Sequence, residues 1–227
     1  MSVLKLAQQL IQCPSVTPHD AGCQAILIAR LKALGFTITP LPFGNISNFW
    51  ATHGDLTHPP LFFAGHTDVV PTGPENAWNA PPFEARVDDG ILYGRGAVDM
   101  KGALSAMVIA CEHFLNKPPN YGGSIGFLIT GDEEGPCTYG TRAMIPHLKI
   151  QGVQLGPCVL GEPTSDAVVG DTLKIGRRGS LTGYFTVEGL QGHVAYPQRA
   201  NKPVHHSIPF LQTLLQTICD PTTSVHF

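Results

Sequence analysis

The apolar positions of the chain alternate between two periods. Residues 3–11 carry them at helical spacing, as one face of an amphipathic helix. Residues 17–36, TPHDAGCQAILIARLKALGF, hold a second helical stretch, in which Pro18 suits a first turn and Gly35 a stop. Short strand patterns follow at 36–41 and 48–53. PLFFAG, residues 60–65, is a continuous apolar run of the kind carried by a buried strand. A Pro- and Gly-rich loop, 71–82, separates it from LYGRGAVDMKG and a predicted helix over 101–115. A strand over 124–130, an acidic turn, a helix near 138–148 and a short strand within PCVLGEP, 157–163, complete the series. Strands alternating with helices predict an α/β fold, a sheet layered by helices.

Beyond about residue 181 the pattern changes. SLTGYFTVEGL, 180–190, alternates as a strand with one exposed face does, and KPVHHSIPFLQTLLQTI, 202–218, reads as an amphipathic helix. A domain boundary is expected near 177–181, giving a first domain over 1–178 and the beginning of a second over 179–227.

Composition narrows the function classes. With 43% hydrophobic and 14% charged residues the 227-residue chain is globular. A net charge of −3 and the lack of any Lys/Arg block argue against nucleic acid and anionic membrane as partners. No apolar run approaches the roughly 20 residues that a membrane helix needs. The first residues read as an amphipathic helix and not as a signal peptide. The six cysteines (13, 23, 111, 137, 158 and 219) form no CxxC pair, so reduced thiols in a cytoplasmic protein are expected.

Polar clusters stand just past the strand-like runs or in Gly-rich turns: His66 and Asp68 in GHTDVV, Asp99 in GRGAVDMKG, Glu133 and Glu134 in TGDEEG, Glu162 in LGEP. In open α/β sheets, sites form outside the strand C-termini, so these clusters are expected to converge. One histidine with several carboxylates is a ligand set for zinc or a similar divalent ion. His66 could bind metal while Asp68 accepts its other ring proton. Asp99 could bridge two ions. Glu133 and Glu134, as neighbours, point apart, so one would ligate while the other takes a proton from water acidified by the metal. Each motif also has a plainer reading: a solvated HxD turn, Asp99 as a helix N-cap, an acidic turn favouring a helix N-terminus, and a surface Glu162.

GHTDVVPTG, LYGRGAVDMKG, TGDEEG and LGEPTS closely resemble the M20 family of co-catalytic zinc aminoacylases and peptidases, over essentially the whole chain. The resemblance implies a zinc-exopeptidase-like catalytic domain with a mixed sheet, followed by the start of an α+β dimerisation domain. It implies two zinc ions, with cobalt able to substitute. His66, Asp99 and Glu162 would hold one, and Asp99 and Glu134 the other. Glu133 would be general base and acid, Asp68 would orient His66, and a cis peptide would follow Asp99. GDTLKIGRRGSLTGYFTVEGLQGHVAYP, residues 170–197, narrows the expected reaction to removal of succinate from N-succinyl-L,L-2,6-diaminopimelate, on the route to diaminopimelate and lysine. Lys174, Arg177 and Arg178 would meet the carboxylates of this small molecule and Tyr196 would contact it. His193 would stabilise the oxyanion in a neighbouring subunit's site, which requires a homodimer. Acetylornithine deacetylation is the alternative within the family, and a non-catalytic metal-binding or interaction fragment is the alternative outside it.

One family feature has no counterpart. A late histidine that completes the second zinc site is expected after the dimerisation domain, and His205, His206 and His226 fall inside that domain. The expectation is therefore a C-terminally truncated form, with little activity for these 227 residues alone.

Overall fold

The structure, a computed structural model, describes residues 2–116, 121–174 and 183–217. It divides into two units, Met1–Leu173 and Lys174–Phe227. The first unit holds α1 (Val3–Ile11), α2 (Cys23–Ala33), β1 (Thr37–Pro40), β2 (Phe49–Gly54) and β3 (Leu61–His66). A small hairpin, β4 (Val87–Asp88) and β5 (Ile91–Leu92), precedes α3 (Gly102–Leu115), β6 (Ser124–Thr130), α4 (Thr141–Ile150) and β7 (Cys158–Leu160).

The main sheet is mixed, in the order β1-β2-β6-β3-β7. β1 with β2 and β2 with β6 run antiparallel, whereas β3 runs parallel to both β6 and β7. All seven residues of β6 are buried, because helices cover both faces. Ile125, Phe127 and Ile129 join Leu6, Leu10, Leu27, Leu31, Leu104 and Val108 of α1, α2 and α3. Leu128 meets Trp50, Phe62, Met144 and Leu148 on the α4 side. The strand therefore reads as a continuous apolar run and not as an alternation. Its one glycine also has a cause: a Cβ on Gly126 would lie 2.6 Å from Trp50 Cη2.

Two expected boundaries shift for a local reason. α2 begins at Cys23, so Pro18 lies outside it; Gly22 is left-handed (φ 82°), and the Asp20 carboxylate accepts the Gln24 N–H at 3.0 Å. α4 begins at Thr141 and not near 138. The Asp132 carboxylate holds the N–H groups of Cys137 and Tyr139, at 3.2 and 2.8 Å, in a turn incompatible with helix.

In the second unit, α5 spans Pro203–Gln216, within the helix expected over 202–218. The strand expected over 180–190 is not found at 183–190, where the single pairing is an isolated bridge between Leu190 and Asn201. Alternation marks a strand only where a neighbouring strand offers its backbone, and the described part of this unit supplies none. Residues 180–182 lie outside the described residues. No described helix is long and apolar enough to cross a membrane.

Candidate metal centre

Parallel strands β6, β3 and β7 end at one edge of the sheet, which is why residues far apart in sequence meet there. His66 is the last residue of central β3 and pairs with Thr130, the last of β6. The acidic turn leaves β6 on one side of His66. Glu162 follows β7 on the other. The fourth contribution comes from a tight turn over Ala97–Lys101, where Asp99 has φ −117° and ψ 96°. The Asp99–Met100 peptide is cis, as the resemblance implied. The helix that follows is capped at Lys101 without a side-chain bond, which removes the N-cap reading of Asp99.

These carboxylates surround one imidazole. His66 Nε2 lies 3.0 Å from Asp99 Oδ1, 3.5 Å from Glu162 Oε1 and 3.9 Å from Glu133 Oε2. Ligand atoms of His66, Glu133 and Glu162 lie within 4.8 Å of one another, as do those of His66, Asp99 and Glu134. The expected pairing had Asp99 and Glu162 sharing one ion with His66, and Asp99 and Glu134 holding the other. Asp99 and Glu162 both approach Nε2, and the compact triplets place Asp99 beside Glu134 and Glu133 beside Glu162. His66 is 1% exposed, whereas Glu133 and Asp99 side chains are about half exposed.

The ring orientation is fixed from below. Nδ1–H of His66 donates to the main-chain oxygen of Asp68 at 2.8 Å, which leaves the Nε2 lone pair aimed at the acids. The Asp68 carboxylate, the group expected to take this proton, stands 3.6 Å from Nδ1. That carboxylate instead accepts N–H bonds from Glu133, at 3.1 and 3.2 Å, and from Glu134, at 3.0 Å. Asp68 thus ties the histidine to the acidic turn through two different groups, because the short HTD stretch sets its carbonyl and its carboxylate on adjacent partners.

The electrostatics follow from this crowding. Burial draws the His66 pKa down. The Asp68 carbonyl bond and the charges of Asp68, Glu133 and Glu162 outweigh it, and the net shift is upward. Glu134 is pushed up by burial and then by Asp99, with the positive field of His66 opposing. A site that gathers four carboxylates about one imidazole nitrogen suits a divalent cation, and its oxygen and nitrogen donors match zinc and its relatives.

Two positioning residues had no sequence signal. Asn48, 3% exposed, donates to the carbonyls of Leu41 and Tyr139 at 3.0 and 2.9 Å, and its Oδ1 accepts from Thr130 Oγ1 and Gly131 N–H at 2.8 and 3.2 Å. It braces the acidic turn from both ends. Lys101, wholly buried, donates from Nζ to Cys13 O at 2.9 Å, and burial lowers its pKa. Nothing but its place two residues after Asp99 marked it.

The remaining expected residues belong to the second unit. Lys174 and His193 are exposed, and Tyr196 is 51% exposed with its ring 5.9 Å from that of His193. Arg177 and Arg178 lie outside the described residues.

Comparisons with known proteins identify the family. Residues 62–223 match the family described as Peptidase family M20/M25/M40. The chain is 55% identical over 211 residues to the succinyl-diaminopimelate desuccinylase of Hahella chejuensis, covering 93% of this chain and 55% of the relative. It is also 55% identical over 218 residues to the protein of that name from Pseudoalteromonas translucida, covering 96% and 58%. The chain thus spans little more than half the length of these relatives. In fold it is similar to an M20 family metallo-carboxypeptidase from Sulfolobus solfataricus, with a TM-score of 0.65 at 21% identity, over 74% of this chain and 38% of that one.

Proposed function

The chain belongs to peptidase family M20/M25/M40, and on that premise we propose that the protein carrying it hydrolyses N-succinyl-L,L-2,6-diaminopimelate to succinate and L,L-diaminopimelate. The observation that carries this reading is the 55% identity, along 93–96% of the chain, to relatives bearing the desuccinylase name. The reaction belongs to diaminopimelate and lysine biosynthesis, a cytoplasmic route.

His66, Asp99, Glu134 and Glu162 would hold two zinc ions, with cobalt as a substitute; when bound, the ions polarise the amide carbonyl and acidify water. The protein's own residues supply the rest. Glu133, half exposed and beside His66, takes the proton of the attacking water and returns it to the departing amine nitrogen. Asp68 holds Glu133 and Glu134 by their backbone N–H groups, so the two carboxylates keep their separate directions. Proton return to nitrogen is needed because an amine leaves readily and an amide anion does not.

His193 is suited to stabilise the developing oxyanion. Its Nδ1 accepts the Ala195 N–H at 3.1 Å, so in the neutral ring the proton sits on exposed Nε2 and can be donated. In this reading it serves the neighbouring subunit of a homodimer. Lys174, Arg177 and Arg178 bind carboxylates of the substrate, and Tyr196 contacts it.

The test is a comparison of kcat/KM for N-succinyl-L,L-2,6-diaminopimelate and N-acetylornithine. A site built to pair charged groups rejects a substrate lacking them, so the succinyl compound is expected to win by at least about 100-fold. Equal rates, or preference for the acetyl compound, would overturn the assignment.

A further inference from the structure

Outside the metal centre, a pair of thiols occupies the junction of α1 and α2. Cys13 stands just past the end of α1 and Cys23 opens α2. Their sulfurs lie against consecutive carbonyls of the same helical turn, Cys13 Sγ 3.5 Å from Gln9 O and Cys23 Sγ 3.8 Å from Leu10 O. Each thiol acts on the titration of the other. Both are free, and they differ in access: Cys13 is partly exposed, whereas Cys23 is wholly buried. The wholly buried Lys101 side chain ends here, its Nζ bonded to Cys13 O at 2.9 Å.

The chemistry of the two sulfurs diverges. The neighbouring Cys23 thiol, with the Lys101 charge, lowers the Cys13 pKa to about 7 against the opposing effect of burial. The neighbouring Cys13 and then burial drive Cys23 upward. The other described cysteines are all shifted upward, Cys111 to about 12 by burial, and Cys137 and Cys158 chiefly by burial as well. A thiolate with access to solvent, next to a buried thiol and a cation, is the arrangement of an attacking and a resolving cysteine.

From the seating of these sulfurs on consecutive carbonyls of one helical turn and their unequal exposure, we infer that Cys13 and Cys23 are a modification site, closing to a reversible disulfide on encounter with a hydroperoxide. The Cys13 thiolate attacks one peroxide oxygen, the O–O bond breaks and the other oxygen departs as hydroxide or alkoxide, leaving Cys13 as sulfenic acid. Cys23 sulfur then attacks Cys13 sulfur. The S–O bond breaks, and the hydroxide takes the Cys23 proton and leaves as water. The two sulfurs give up two electrons and the peroxide oxygens accept them. A small-molecule thiol reverses the step. Since Cys13 O carries the bond from Lys101, the cross-link forms on the scaffold under the turn that bears Asp99.

The test treats the reduced, folded protein with a stoichiometric amount of hydrogen peroxide, blocks free thiols with iodoacetamide, and maps the peptides by mass spectrometry. The expected product is a linked peptide joining Cys13 to Cys23, with Cys111, Cys137, Cys158 and Cys219 alkylated, and its loss after dithiothreitol. In Cys23→Ser, oxidation is expected to stop at a Cys13 sulfenic acid that dimedone captures. Alkylation of both Cys13 and Cys23 after peroxide in the wild type, or a disulfide from Cys13 to another cysteine, would overturn the proposal. So would failure of dimedone to label Cys13 in a folded Cys23→Ser protein.

Discussion

Glu133 and Glu134 adjoin in sequence but face different surroundings. Glu133 is exposed and lies within 3.9 Å of His66 Nε2; Glu134 is less exposed, groups with Asp99, and has a raised pKa. Their substitutions should therefore separate. Glu133→Gln is expected to keep zinc near the wild-type content while kcat falls by about 10²–10⁴-fold, the usual cost of a lost general base. Glu134→Gln is expected to lower bound metal itself, measured by elemental analysis after dialysis. Equal metal loss in both variants would make Glu133 a ligand and leave the proton without its acceptor. Their place beside His66 was legible in the sequence because both follow one apolar run that reads as a buried strand. The work of Asp68 was legible only by type. Which of its oxygens meets His66 depends on backbone direction after β3, and spacing alone does not give that.

Strands set the site at the next scale. Three parallel neighbours deliver His66, the acidic turn and Glu162 to one edge, and their apolar runs made this foreseeable. Less foreseeable was the brace beneath them, since nothing in a sequence says which polar side chain turns inward. Asn48→Ala would leave the Leu41 and Tyr139 carbonyls and the Gly131 N–H without their partner. Unfolding in urea should show a loss of about 2–4 kcal/mol; a change below about 0.5 kcal/mol would mean that the turn is held by other contacts. Phe127, wholly buried between Phe36 and Phe63, tests the sheet core. Phe127→Ala should cost about 3–5 kcal/mol in the same experiment, and a cost under about 1 kcal/mol would contradict the packing described. The expected strand before Leu190 failed for the converse reason. Its alternation is real, but pairing needs a partner that local pattern cannot supply.

For the whole molecule, the fold of the first unit and the convergence of His66, Asp99, Glu133, Glu134 and Glu162 rest on one sheet edge. The family follows from the match over residues 62–223. The substrate contacts expected of the second unit depend on Lys174, Arg177, Arg178, His193 and Tyr196, whose charges and donors are suited to a molecule bearing several carboxylates. The most direct measurement joins these parts: turnover of N-succinyl-L,L-2,6-diaminopimelate by the protein carrying this chain, stripped of metal with a chelator and then resupplied with zinc or cobalt. The account predicts negligible succinate release without metal and its recovery on adding either ion. Undiminished succinate release from the metal-free protein would contradict it.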